Sequence, residues 1–260
     1  MTATAAAPPP DLQSRCDLGQ QQLMRMEYLE ADATLAAVER EAWAARDFDT
    51  LSRLYMPLQE ARRQRRQRCG EGTVSLDLIA EGPGDQIEAR HVIENYPHGQ
   101  LLVAGWGSIA PALEVRRLQR QHALYVETFL AAVYRLADGG KIVAIIPSED
   151  QPLPPAGVPV RDAEELLPQL PPHSIVLPEA QLPQGPQKGT WETYAHVMAM
   201  WERLHSPFLI AADAEQDPVA RIEGYRRAIR VDYACELAHQ KLSDTARWLV
   251  RENKHAVAGA

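Results

Sequence analysis

The residues best suited to chemistry gather where an apolar run gives way to glycine. Leu101-Leu102-Val103-Ala104 is followed by Gly105-Trp106-Gly107-Ser108-Ile109-Ala110, a G-x-G-x-x-A pattern between a strand and a helix. Glycine lets backbone amides approach a phosphate closely, and the free amides of a helix start favour an anion. Ser108 adds a hydroxyl that can cap the helix or donate to that anion. Ser148, Glu149 and Asp150 follow the next apolar run, Lys141 to Ile146. If that run is a parallel strand, its C-terminal end is where open α/β sheets bind ligands. Gly105, Gly107, Ser108, Ser148, Glu149 and Asp150 are therefore the candidate phosphate-binding set. Glu149 and Asp150 come some 40 positions after the glycines, whereas a dinucleotide site places its ribose-binding acid about 20 positions on. No cofactor is expected.

A second constellation is Arg62, Arg63, Arg65, Arg66 and Arg68. On a helix these side chains cover more than half the circumference, and at its C-terminal end they complement the dipole. As a set they are the candidate partner-binding residues, suited to an anionic surface. No aromatic residues interleave the run as base stacking requires, so nucleic acid is not expected. The eight histidines show neither HxxxH nor HExxH spacing, and no metal is expected. No G-x-S-x-G elbow occurs. Glu164 and Glu165 are adjacent, so they point to different helical sides and make a poor acid/base pair. These patterns identify no catalytic residue and lean away from an enzyme.

The elements that must position these groups fall into regions. Residues 1–10 read as a tail. Residues 11–69 carry helical periodicity, with Leu35, Val38, Ala42 and Ala45 on one stripe and Leu51, Leu54, Tyr55, Leu58 and Ala61 on another. Arg46-Asp47-Phe48-Asp49 is the turn between them, and Pro57 is expected to kink or break the second helix. Residues 70–189 form an α/β region. Thr73 to Ile79 alternates as a strand, Ile87 to Tyr96 is a short helix, and Leu101 to Ala104 is a buried strand. One long helix is predicted from Ser108 toward Asp138, with His122, Tyr125, Phe129, Val133 and Leu136 inward, stopped by Gly139-Gly140. Lys141 to Ile146 then pairs in parallel with the earlier strand, completing a βαβ unit, and Ser174 to Leu177 adds a third strand. Residues 147–189 hold more than half of the 20 prolines and read as extended segments with one short helix over the sheet. Residues 190–252 return to helices, with starts at Ser206-Pro207 and Asp217-Pro218, and 253–260 read as a second tail.

The helical ends resemble tetratricopeptide units. Asp47-Phe48 sits at the turn, Leu51 where the family usually has Ala, and Tyr55 where it has an aromatic residue. Tyr225, Ala228 and Asp232 match a second helix and its exit, and His239-Gln240-Lys241-Leu242-Ser243 stands where the family shows Trp-x-x-Leu-Gly. That resemblance implies binding of a protein or peptide. Residues 86–150 resemble sugar isomerase domains through their helix, buried strand, Gly-x-Gly turn with Ser108, and helix. This second resemblance implies a phosphosugar ligand, with Ser148 serving the phosphate loop.

The 260 residues carry a net charge of −8, which repels nucleic acid and anionic lipid as a whole. No apolar run reaches the ~18 residues of a membrane span, and the start lacks a signal peptide's pattern. Cys16, Cys69 and Cys235 form no CxxC pair, which fits a reducing cytoplasm. The sequence thus predicts a small parallel, Rossmann-like α/β sheet flanked by helical hairpins. The expected role is non-catalytic binding of a protein partner, with a phosphorylated small ligand at the glycine turn. The alternative is a phosphosugar-binding enzyme or sensor.

Overall fold

The apolar stripe Leu35, Val38 and Ala42 is wholly buried, as is its counterpart Leu51, Leu54, Leu58 and Ala61. In the computed structural model, which describes residues 11–258, they form a helical unit made of residues through Gln64, Ala212–Arg226 and Ala234 onward. Its helices are α1 (Leu12–Met24), α2 (Tyr28–Ala44), the first part of α3 (Phe48–Glu71), most of α8 (Pro218–Val231) and α9 (Glu236–Ala258). Asp11 caps α1 by accepting from the Ser14 amide at 2.7 Å. Asp47 accepts from both the amide and the hydroxyl of Thr50 at the head of α3, which fixes the predicted turn. Arg46 takes the left-handed conformation there, as Met26 does between α1 and α2. Helix α3 runs through Pro57 without a break, held on both sides by buried Leu54 and Leu58. The tail expected at 1–10 lies outside the described residues. The one expected from 253 is helical backbone as far as Ala258.

The α/β unit comprises Arg65–Ala211 and Arg227–Tyr233. Its strands are β1 (Thr73–Ile79), β2 (His98–Trp106), β3 (Tyr125–Arg135), β4 (Lys141–Ile146), β5 (Ile175–Pro178) and β6 (Gln187–Lys188). They form one sheet in the order β5-β4-β3-β2-β1-β6. Strands β1, β2 and β3 are parallel, joined through α4 (Ala89–Asn95) and α5 (Ala110–Gln121). The other pairings, β3 with β4, β4 with β5 and β1 with β6, are antiparallel. The sheet is mixed rather than parallel.

Two expectations fail for one reason. The long helix from Ser108 stops at Gln121, where Ala123 takes φ 49° and the Leu124 amide bonds back to the Gln119 carbonyl at 3.0 Å. This is a left-handed cap without glycine. Val126 to Tyr134 then form a strand buried at every position, and Tyr125, Phe129 and Val133 belong to it rather than to a helix. Gly139-Gly140 therefore turns a hairpin instead of ending a helix, with Gly139 at φ 92° and the Leu136 amide on the Gly140 carbonyl at 2.8 Å. So short a connection allows only antiparallel pairing. Val143 consequently pairs with Val133 and is not the parallel neighbour of Val103.

One sheet face is covered by α4, α5 and the proline-rich segment, which contributes Leu153, Ala156, Val160, Leu166 and Leu170 around α6 (Ala163–Leu166). Helix α7 (Trp191–Ala214) covers the other through Val197, Met200, Trp201 and Leu204. Ser206-Pro207 does not start a helix: α7 passes through it, with Leu204 and Leu209 buried on either side. No helix among the described residues is long and apolar enough to cross a membrane.

Candidate functional site

The glycine turn is where the sequence places it, between β2 and α5. Gly107 needs its freedom, with φ at 58° and a Cβ position only 2.5 Å from the Ala156 Cβ. Its amides are engaged within the chain. The Gly107 amide donates to the Val133 carbonyl at 2.9 Å and the Ser108 amide to the Gly105 carbonyl at 3.3 Å. The Ser108 hydroxyl accepts from the Ala110 amide at 3.1 Å, so it serves the helix start.

Ser148, Glu149 and Asp150 do not join this turn. Antiparallel β4 passes the level of Trp106 at Val143 and ends at Ile146, paired with Leu130 and level with Val103. The following residues leave at the opposite end of the parallel strands. There the Ser148 hydroxyl donates to Asp150 Oδ2 at 2.8 Å and accepts from the Asp150 amide at 3.2 Å. The ligand-facing position expected of a parallel strand's end is lost with the strand's direction.

The arginine run divides by helical position. Arg62 turns inward in the helical unit, with Nε 2.9 Å from Asp32 Oδ1 and Nη1 3.1 Å from His239 Nε2. Arg63 pairs with Glu60 and Arg68 with Glu71, both at i,i+3 on the surface. Arg65 lies over the Tyr233 ring at 4.4 Å. Arg66 is the buried member.

Arg66 centres a network that sequence patterns did not single out. Its Nε and Nη2 donate to Glu127 Oε1 at 2.9 and 2.5 Å, and Nη2 also reaches Asp232 Oδ1 at 2.5 Å. Glu127 Oε2 accepts from Gln100 Nε2 at 2.8 Å, and Asp232 Oδ2 lies 2.7 Å from His205 Nδ1. The guanidinium lies over Trp201 at 5.2 Å and Tyr233 at 5.1 Å, and Trp201 stacks on Phe129 at 4.1 Å. Rings on a guanidinium add cation–π attraction where water is excluded. Burial alone would raise the Asp232 carboxyl, yet Arg66 and His205 outweigh it and hold the group well below the carboxylate range. Burial likewise opposes the Arg66 charge, and Asp232 and Glu127 overcome it. Burial pushes the nearby Cys69 thiol up, so it stays protonated.

Each of the four carboxylate oxygens here accepts a bond from this network, which ties α3, two strands, α7 and the end of α8 together. His205, at 14% side-chain exposure, is more open than Arg66, Glu127 or Asp232. The sequence does carry a trace of this arrangement. Gln100 and Glu127 are polar residues at the head of apolar strands, but Glu127 is visible as such only once β3 is recognised as a strand.

Comparison of the chain with protein-family models, with curated proteins and with solved structures finds no match.

Proposed function

We propose that the chain is a non-catalytic interaction protein whose helical unit binds a protein partner. The observation that carries this reading is the apolar surface the unit leaves in water. Met24, at the end of α1, is 83% exposed, and Met26, in the following turn, is 67% exposed. Two unbranched thioethers projecting from one turn can adapt to a partner's apolar side chains. Helices joined by short turns also support the reading, since stacks of such hairpins present extended binding surfaces. Gly19 makes the close approach in this unit, where any Cβ would stand 2.6 Å from Leu35. The partner chemistry that fits is an amphipathic segment docking its apolar face. The commitment of the Arg66 network's carboxylates to internal bonds argues against acid–base chemistry there.

The test is photo-crosslinking with a benzophenone amino acid at position 24. A discrete adduct that disappears with Met26→Lys, and does not form from a label at exposed Arg161, supports the reading. The same adducts from both label positions, or no effect of Met26→Lys, would sink it.

A further inference from the structure

Arg116 lies on the side of α5 turned toward the sheet. Its Nε and Nη2 donate to the Thr128 carbonyl at 2.9 and 2.7 Å. Among the described residues no carboxylate stands within ion-pair distance of it. Glu127 is committed to Arg66 and Gln100, and Glu149 acts on Arg116 only at longer range. Arg65 and Arg120 add like charge to the same neighbourhood. Burial brings the Arg116 guanidinium down to about 10, its two carboxylate neighbours notwithstanding. Arg116 is half-buried, and a guanidinium partly withdrawn from water without a counter-ion costs stability.

A second observation lies at the residue Arg116 clasps. Thr128 is 3% exposed, and its hydroxyl has no hydrogen-bond partner. Strand alternation puts it on the α5 face with Val126 and Leu130, both packed in the cluster that holds Val115 and Leu118. A guanidinium whose Nη1 bonds no protein group and a buried hydroxyl without a partner thus meet at one residue.

We propose that Arg116 and Thr128 form a binding site for the single oxyanion head of a small molecule, phosphoryl or carboxylate. The free Nη1 of Arg116 and the Thr128 hydroxyl donate to the oxyanion. Exposed Arg120, one helical turn further along α5, closes over it. Glu149 repels a second negative group, which favours one oxyanion over a polyphosphate. The site is separate from the glycine turn and from the surface assigned to a protein partner, so its failure leaves that assignment standing.

The experiment is thermal melting of the full chain in inorganic phosphate or acetate against chloride at equal ionic strength. For a Kd of about 1 mM, about 10 mM oxyanion raises the folded-to-unfolded ratio about tenfold. A response to phosphate alone assigns a phosphoryl head, to acetate alone a carboxylate, and either supports the site. Arg116→Met must abolish the response, which separates binding from the general stabilisation phosphate exerts. In chloride this variant is expected to melt close to wild type, because it removes a half-buried charge without a counter-ion at similar volume. If it unfolds, Thr128→Val and Arg120→Gln decide, and loss of the response in both supports the site. No response in wild type, or a full response in Arg116→Met or in either other variant, overturns the proposal.

Discussion

Arg66 Nη2 and Asp232 Oδ1 meet at 2.5 Å across 166 residues of chain, and the same nitrogen stands 2.5 Å from Glu127 Oε1. Two carboxylates share one guanidinium where the side chains are 6%, 1% and 3% exposed for Arg66, Asp232 and Glu127. Removing the cation would strand two buried negative charges. Arg66→Met is expected to cost about 3–5 kcal/mol in urea denaturation. Arg63→Gln and Arg68→Gln break exposed pairs and should change stability by no more than about 0.5 kcal/mol. Equal effects at all three positions would count against the network.

Acid should act on Asp232. Its folded carboxyl titrates below the ordinary 3.8, so the unfolded chain binds a proton first as pH falls. The stabilisation is complete above the unfolded value and is lost as pH drops through the lower, folded one. Asp232→Asn removes that dependence. Its stability measured between about pH 5 and pH 2 should fall less steeply than that of wild type. Parallel curves would show that Asp232 is not held low.

The glycine turn should matter to stability in the absence of any ligand. Gly107→Ala must adopt φ 58° and press its Cβ against Ala156. A loss of about 1–3 kcal/mol is expected, with Ala156→Gly relieving the contact but not the backbone strain. Ser108→Ala removes the acceptor for the Ala110 amide and should cost about 1 kcal/mol. Calorimetry in phosphate-free buffer checks both.

Val143 is fully buried, paired to Val133 on one side and Leu177 on the other. Val143→Asp places an unpaired charge there and should prevent cooperative folding, at a cost of several kcal/mol. A soluble variant with a sharp thermal transition would remove β4 from the sheet interior.

Cys16, Cys69 and Cys235 are all buried. A thiol reagent should leave them unmodified in the native chain and modify all three in urea. Rapid native labelling of Cys69 would contradict both its burial and its raised pKa.

What the sequence disclosed depended on how local the cause was. The α2–α3 turn was legible because Asp47 and Thr50 cap α3 within four residues. The buried strand Leu101 to Ala104 announced itself as an apolar run bounded by glycine. Strand β3 did not, because Tyr125, Phe129 and Val133 return at a helical spacing while every position between them is also buried. Periodicity cannot separate a helix stripe from a strand covered on both faces. With Tyr125 to Arg135 read as helix, β4 would run parallel and Glu149 would stand at the C-terminal end of the sheet; as a strand, β3 reverses β4. Arg66 was indistinguishable from Arg63 and Arg68 by composition. Only the carboxylates waiting 61 and 166 positions away mark it as interior.

The ordering β5-β4-β3-β2-β1-β6 leaves the two shortest strands outermost. β6 has two residues, one of them Lys188, and β5 has four, the last a proline that can donate no ladder bond. A foreign strand approaching β5 or β6 meets few rungs, and a lysine or a proline among them. The apolar segment Phe129 to Tyr134, suited to cross-chain stacking, is thereby kept two strands in from one border and three from the other. The folded chain should resist fibril growth for as long as those short borders stay in place.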